Sequence, residues 1–136
     1  MKLEGGCLCG AVRYEFFGEP IRHVICHCRD CQRASGSAFH VGVVIPRAGF
    51  KITRGEIRAY RITGDSGRWI DRSFCPRCGS GILHELELRG PEYVVIKSGT
   101  LDDPTLMTPP TYEVYIQSKM PWVSISSDTT KREEMG

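Results

Sequence analysis

The chain has 136 residues, of which 40% are hydrophobic and 25% charged, with a formal net charge of +2. That length gives one domain able to bury a core, and the balance is that of a globular chain. No apolar run approaches the roughly 20 residues of a membrane helix, and Met1–Gly6 lacks the apolar stretch of a signal peptide, so the expected location is the cytoplasm, without a membrane partner.

Leu8–Phe17 reads as a strand in which Val12, Tyr14 and Phe16 alternate with Arg13 and Glu15. Gly18-Glu19-Pro20 ends it, and Ile21–Ile25 forms a second strand. Gln32–Ser35 reads as a short helical turn stopped by Gly36. Phe39, Val41, Val43 and Ile45 alternate along a strand that Pro46 closes. Phe50–Thr53 and Ile57–Ile62 read as a hairpin around Arg54-Gly55-Glu56. Trp69–Phe74 follows a turn at Gly64-Asp65-Ser66-Gly67. Gly81–Leu88 and Tyr93–Lys97 are strand-like, and Thr100–Pro110 is a long proline-bearing loop. Thr111–Gln117 alternates again, with Tyr112, Val114 and Ile116 on one face, and Trp122–Ile125 reads as a last short strand. These short strands predict a mainly β single domain over residues 1–125. A polar tail over residues 126–136 is expected to fray.

Seven cysteines fall into three groups: Cys7 and Cys9; Cys26, Cys28 and Cys31; Cys75 and Cys78. An odd number cannot pair completely within one chain, and cytoplasmic cysteine clusters more often bind metal. Zinc holds sulfur at about 2.3 Å in a tetrahedron, so ligand sulfurs stand less than about 4 Å apart. Cys7-Leu8-Cys9-Gly10 and Cys75-Pro76-Arg77-Cys78-Gly79 read as two halves of one such site, each ending in a glycine that can take positive φ. Joining them closes a long loop at a cost of about 3 to 4 kcal/mol. Structural zinc contributes roughly 10 to 16 kcal/mol in small fingers and outweighs that cost. The preferred reading is a four-thiolate structural zinc, with rubredoxin-like iron as the other option.

Cys26-His27-Cys28-Arg29-Asp30-Cys31 supplies three thiols. Alternate residues of a strand stand too far apart for zinc, so the backbone must tighten around Cys26 and Cys28. Arg29-Asp30 then lets it turn so that Cys31 closes a third corner. Two readings follow. In one, His23, His40 or His84 completes a second structural site. His27, lying between two ligands, should point away from them, toward solvent or into a supporting role. In the other, the fourth position stays open; three thiolates weaken zinc as an activator of water but suit it to a soft sulfur ligand. Seven thiolates and two divalent ions also turn the formal positive charge slightly negative. Arg54, Arg58, Arg61, Arg68 and Arg72 are interleaved with Glu56, Asp65 and Asp71, which argues against a nucleic-acid partner.

The sequence resembles the glutathione-dependent formaldehyde-activating (GFA) family of zinc proteins from Gly6 to Trp122. The resemblance rests on Gly6-Cys7-Leu8-Cys9-Gly10, Cys26-His27-Cys28-Arg29-Asp30-Cys31, Ser35-Gly36-Ser37-Ala38-Phe39, Phe74-Cys75-Pro76-Arg77-Cys78-Gly79-Ser80 and Gly99-Thr100-Leu101-Asp102-Asp103. It implies a mostly β fold around a structural zinc at Cys7, Cys9, Cys75 and Cys78, and a catalytic zinc at Cys26, Cys28 and Cys31. It also implies a carbon–sulfur lyase that joins a small thiol such as glutathione to an aldehyde such as formaldehyde. Glutathione carries two carboxylates, and Arg29 and Arg33, nearest the metal in sequence, are the candidates to bind it. Asp102 and Asp103 read as turn formers before Pro104. Two other classes compete with this one: a zinc-stabilised protein-binding module, and a metal-free thiol redox enzyme using Cys26, Cys28 or Cys31.

Overall fold

Apolar residues alternating with a period of two give one strand two different neighbours, and in this chain that alternation is what builds the layers. The computed structural model describes residues 1–64, 66–106, 109–125 and 128–133. Its strands are β1 (Lys2–Gly6), β2 (Arg13–Phe17), β3 (Arg22–Cys26), β4 (His40–Pro46), β5 (Phe50–Arg54), β6 (Arg58–Thr63), β7 (Trp69–Phe74), β8 (Gly81–Leu86), β9 (Tyr93–Lys97), β10 (Tyr112–Val114) and β11 (Thr130–Lys131). One helix of two turns, α1 (Arg29–Ser35), and several single 3-10 turns complete the described elements. The strands form a small sheet in the order β1-β2-β5 and a large one in the order β11-β10-β3-β4-β9-β8-β7-β6. The mainly β expectation holds. Most neighbours pair antiparallel, but β10 runs parallel to both β3 and β11.

The small sheet lies on one face of the large one. Leu3, Tyr14 and Phe16 from the small sheet pack with Val43, Ile45, Val94 and Ile96 from the large sheet. The intervening residues Val44 and Val95 point the other way. They join Val24, Cys26, Cys31, Leu86 and Val114 in a second cluster. The central strands β4 and β9 are thus apolar on both faces, as strands covered on both sides must be. The first face carries the sandwich core. The second face carries the three-cysteine stretch.

Several elements differ from the sequence reading, each for a physical reason. Lys2–Gly6 is a strand although its sequence hardly alternates; β2 pairs with it residue by residue, from Lys2 opposite Phe17 to Gly6 opposite Arg13. Residues 8–12 form the turn and loop that carry Cys9, so β2 begins only at Arg13. β5 and β6 do not form a hairpin: β5 pairs with β2 and β6 with β7. Gly55, at φ +79°, lies against the carbonyl of Ala11 and carries the chain from one sheet to the other. α1 begins at Arg29 rather than Gln32. The strand at Tyr112 stops at Val114 because Tyr115 takes the left-handed conformation, φ 56°. Trp122–Ile125 is not a strand, whereas Thr130–Lys131, in the tail expected to fray, adds an edge strand. No described helix is long and apolar enough to cross a membrane.

The buried start of the chain rests on a close approach. A β-carbon added at Gly5 would stand 2.3 Å from the Thr100 carbonyl oxygen and 2.4 Å from the Tyr14 hydroxyl. That hydroxyl donates to Thr100 Oγ1 at 2.7 Å, and Thr100 Oγ1 donates to the Lys97 carbonyl. Gly5→Ala should therefore force β1 off β2 and lower stability by about 2 to 3 kcal/mol. Chemical denaturation measures this, and an unchanged midpoint would show that β1 is not held by this packing.

Candidate functional site

The loops β1–β2 and β7–β8 meet at one end of the sandwich. Cys7 and Cys9 come from the first, Cys75 and Cys78 from the second, and their four sulfurs all lie within 4.8 Å of one another. Cys7 Sγ stands 3.6 Å from Cys9 Sγ, and Cys9 Sγ 3.9 Å from Cys75 Sγ. These spacings match a tetrahedron of thiolates around one zinc-sized ion. The backbone is shaped for it. Gly10 and Gly79 take φ +81° and +77°. The Val12 amide donates to Cys7 Sγ, and the Gly79 amide closes the second loop onto the Cys75 carbonyl. The Ser80 hydroxyl lies 3.2 Å from Cys78 Sγ and accepts from the Leu8 amide, linking both loops. Hydrogen bonding from Ser80 pulls the Cys78 thiol down to about 5.

Cys26, Cys28 and Cys31 form the second group, again with sulfurs within 4.8 Å. β3 delivers Cys26, and α1 delivers the rest. Cys28 is the N-cap of α1: its sulfur accepts the Cys31 amide at 3.2 Å. The expected tightening of the backbone is thus a helix N-terminus. Gly36 ends the helix in the left-handed conformation, as the sequence indicated. Among the described residues no histidine or carboxylate has a ligand atom in this group of three. His23 lies outside it and is paired with Ser98. His40 and His84 stack on each other, with ring centroids 4.4 Å apart, close by but outside the group.

A cavity of about 70 Å³ lies against all three cysteines. His40, His84 and Arg72 line it together with apolar side chains from β3, β4, β7, β8 and β9. Burial pushes the His40 imidazole down to about 3, with Lys97 and Arg72 adding to the effect. Burial likewise drives His84 well below its ordinary value. Both rings are therefore neutral at pH 7. The Arg72 guanidinium donates to His84 Nε2 at 3.2 Å, so that ring carries its proton on Nδ1. Arg72 also donates to Cys31 Sγ at 3.7 Å. The Cys26 and Cys28 thiols, then Arg72, lower the Cys31 thiol to about 3 against the burial that would raise it.

Behind the cysteines stands a buried acid that the sequence reading missed. His27 points away from the sulfurs, as expected, but it is fully buried rather than solvent-facing. Its Nε2 lies 2.9 Å from Glu113 Oε1, and Glu113 is fully buried too. Thr129 donates to Glu113 Oε2, Lys131 Nζ lies 3.3 Å from the same oxygen, and Lys119 Nζ lies 3.6 Å from the other. Burial would raise the Glu113 carboxyl; these partners hold it down at about 2. Gln32 Nε2 donates both to the His27 carbonyl and to the Ser118 carbonyl. The loop bearing Cys26 and Cys28 is therefore clamped from behind by residues of the C-terminal segment.

The two arginines proposed from sequence are not at the cavity. Arg29 is exposed and donates to Gln32 Oε1, and Arg33 is exposed on α1. Arg72 and Arg89 line it instead. Asp103 does form a turn, accepting the Thr105 amide at 2.9 Å, while Asp102 pairs with Arg13. Glu113 was concealed in its strand, where its neighbours Tyr112 and Val114 marked the opposite face as the inner one. His27, Lys119 and Thr129 close over the face that carries Glu113.

Comparison with known proteins agrees with this geometry. The family model described as "Glutathione-dependent formaldehyde-activating enzyme" matches residues 2–118. A Halomonas elongata protein, provisionally named as a glutathione-dependent formaldehyde-activating enzyme, is 29% identical over 132 residues, spanning 93% of this chain and 83% of its own length. The crystal structure of a Rhodobacter sphaeroides protein superposes with a TM-score of 0.58 at 22% identity, covering 75% of this chain and 92% of that one. It shares the fold. The chain belongs to the glutathione-dependent formaldehyde-activating family.

The two cysteine groups should respond differently to substitution. Cys78→Ser removes a ligand from the tie between distant loops and should lower stability by more than about 4 kcal/mol. Cys28→Ser keeps a good helix cap and should cost under about 2 kcal/mol. Thermal melts of both variants test this, and equal losses would give the two groups the same role. Thr129→Val, which removes one hydrogen bond to a buried carboxylate, should cost about 1.5 to 3 kcal/mol. It should also speed metal loss to a chelator from the three-cysteine group without affecting the other. Equal release from both groups would mean that the clamp does not reach the cysteines.

Proposed function

We propose that this chain adds a small thiol, with glutathione as the first candidate, to an aldehyde such as formaldehyde. The reaction takes place at a zinc ion held by Cys26, Cys28 and Cys31, while a second zinc at Cys7, Cys9, Cys75 and Cys78 is structural. The observation that carries this reading is the unequal completion of the two groups. One has four sulfurs; the other has three and, among the described residues, no fourth protein ligand, and it abuts a cavity. Family membership supports the same chemistry. A bound zinc supplies a coordination position that soft sulfur fills and lowers a thiol pKa from about 8.5, so that the sulfur is ionised at neutral pH.

The side chains around the cavity supply the rest. Apolar walls from Val24, Val44, Leu86, Val95 and Val114 exclude water and leave an ionised sulfur poorly solvated and reactive. The Arg72 guanidinium offsets part of the thiolate charge at Cys31. His40 and His84 are neutral, so they add no further positive charge. His40 Nε2 is buried with no hydrogen-bond partner among the described residues, and it is suited to bonding an aldehyde oxygen. In the addition, a sulfur lone pair forms the carbon–sulfur bond and the carbonyl π pair moves to oxygen. That oxygen takes up the proton the thiol released. Nothing else is consumed, and the reverse direction is a carbon–sulfur lyase reaction. No side chain need act as a strong base, which agrees with two histidines held neutral by burial.

Cobalt substituted for zinc makes the ligand set visible. Glutathione should strengthen the sulfur-to-cobalt charge-transfer absorption, and Cys28→Ser should abolish that response. With zinc, the variant should lose at least about 100-fold in the rate of thiol-dependent formaldehyde consumption, as removal of a metal ligand does. A cobalt spectrum that no small thiol perturbs, together with a signature of four protein ligands before any addition, would exclude the reading.

A further inference from the structure

The cavity at the three cysteines is small. Its volume of about 70 Å³ has room for a fourth ligand atom and a one-carbon aldehyde. A thiol the size of a tripeptide must keep most of its body elsewhere. Beside the cavity lies a groove of about 430 Å³, within the range of small-molecule sites. Val44 and Arg89 line both spaces, so the groove continues from the cavity past Arg89.

Three guanidiniums converge on this groove, those of Arg22 on β3, Arg68 before β7 and Arg89 after β8. What sets them apart from other arginines without a carboxylate partner, such as Arg29, Arg33, Arg54 and Arg58, is that they line one groove together. Arg13 pairs with Asp102, Arg47 with Glu85 and Arg61 with Asp71. Among the described residues, none of the three groove arginines has a carboxylate within ion-pair distance. Arg22 stacks on the Tyr112 ring, 3.8 Å from its centroid, which fixes the cation in place without neutralising it. Arg89 is half-buried, and burial together with the charge of Arg22 makes its protonated form less favourable. Ile21, Leu88 and Tyr93 supply apolar surface between the charges. Like charges held close in a concave, partly apolar setting are costly when unpaired, and planar guanidiniums match carboxylates in a two-point fashion.

We propose that this groove binds the body of the substrate thiol through its two carboxylates, and that Arg89 marks the passage through which its sulfur reaches the three cysteines. The assignment of the sulfur rests on the thiol-addition reading above. The assignment of the anion rests on the arginines alone. Recognition and chemistry would then occupy adjoining spaces: a tight apolar one for the reacting atoms, and a wider cationic one for the remainder of the thiol.

The test uses the metal-loaded full chain and four probes: glutathione, its dimethyl ester, 2-mercaptoethanol and S-methylglutathione, which has no free thiol. Cobalt absorption reports the first three, and calorimetry reports the last. Glutathione should bind at least tenfold more tightly than its dimethyl ester at low salt. Arg22→Gln with Arg68→Gln, neither of which lines the cysteine cavity, should erase that advantage and leave 2-mercaptoethanol within twofold of its original affinity. S-Methylglutathione should bind the original protein and weaken at least tenfold in the double variant and in high salt. Arg68→Gln alone, at an exposed position, should lower the affinity for glutathione several-fold with an unchanged melting temperature, which separates binding from folding. Equal affinities for acid and ester, or discrimination that survives both substitutions, would overturn the groove while leaving thiol addition intact. A silent cobalt spectrum with arginine-dependent binding of S-methylglutathione would overturn thiol addition and support the groove as an anion site. Absence of both responses would overturn both.

Discussion

Four sulfurs within 4.8 Å cannot all carry charge unless a cation sits among them. That constraint governs one end of the molecule. Cys7 and Cys9 belong to the small sheet's first loop, and Cys75 and Cys78 to a loop of the large sheet. Whatever holds the four together therefore holds the two sheets in register. The packing is consistent with this load. Cys75 is fully buried, Cys7 nearly so, and both join the same core as Tyr14 and Phe16. Without a cation among them, these thiols would be crowded at the edge of that core. The β1–β2 and β7–β8 loops, which have little regular structure of their own, would lose their reason to meet.

The second group obeys the same chemistry with the opposite connectivity. Its three cysteines lie on one strand end and one helical turn, so they constrain only six consecutive residues. The stiffness that such a group lacks is provided from behind. Glu113, His27, Gln32 and Thr129 form a hydrogen-bonded support in which the carboxylate has partners on both oxygens, and the backbone carbonyls of His27 and Ser118 are satisfied by one amide. A buried carboxylate left with fewer partners would be strongly destabilising. The support therefore works as a unit that backs the three-cysteine loop. The family match ends at residue 118, whereas Thr129 and Lys131 lie beyond it. The tail strand that completes this support is thus a feature of the chain outside the matched region.

Much of this was legible in the sequence, and the parts that were not have a common cause. The strands β3, β4, β7 and β9 were readable because each has a local pattern of alternation or a continuous apolar run. The cysteine groups were readable because metal chemistry restricts residue type and spacing within a few positions. What escaped detection depends on partners far away along the chain. β1 is a strand because β2 lies beside it. β5 and β6 separate because each finds a better neighbour than the other. Tyr115 breaks its strand where a left-handed residue turns Ser118 toward Gln32, a contact that no local pattern announces. Glu113 looks like a surface acid until the tail covers it. The same holds for charge: proximity in sequence to the cysteines suggested Arg29 and Arg33, but α1 carries both into solvent.

That last displacement bears on how the site divides its work. A helix capped by Cys28 sends its polar residues outward, so the residues nearest the cysteines in sequence are poorly placed to face the cavity. The cations that do reach it, Arg72 and Arg89, come from β7 and from the turn after β8, far from the cysteines in sequence. Arg72 is committed to Cys31 and His84 and is already satisfied by protein atoms. Arg89 has no described ion-pair partner, and neither have Arg22 and Arg68 beyond it. A cation with protein partners tunes the charge of the group it touches, whereas a cation without them retains its full attraction for a ligand. The order of guanidiniums, from Arg72 with protein partners beside the cysteines to Arg22 and Arg68 without carboxylate partners farther out, is the physical ground for the proposed division between a small reaction chamber and a wider anion-binding groove.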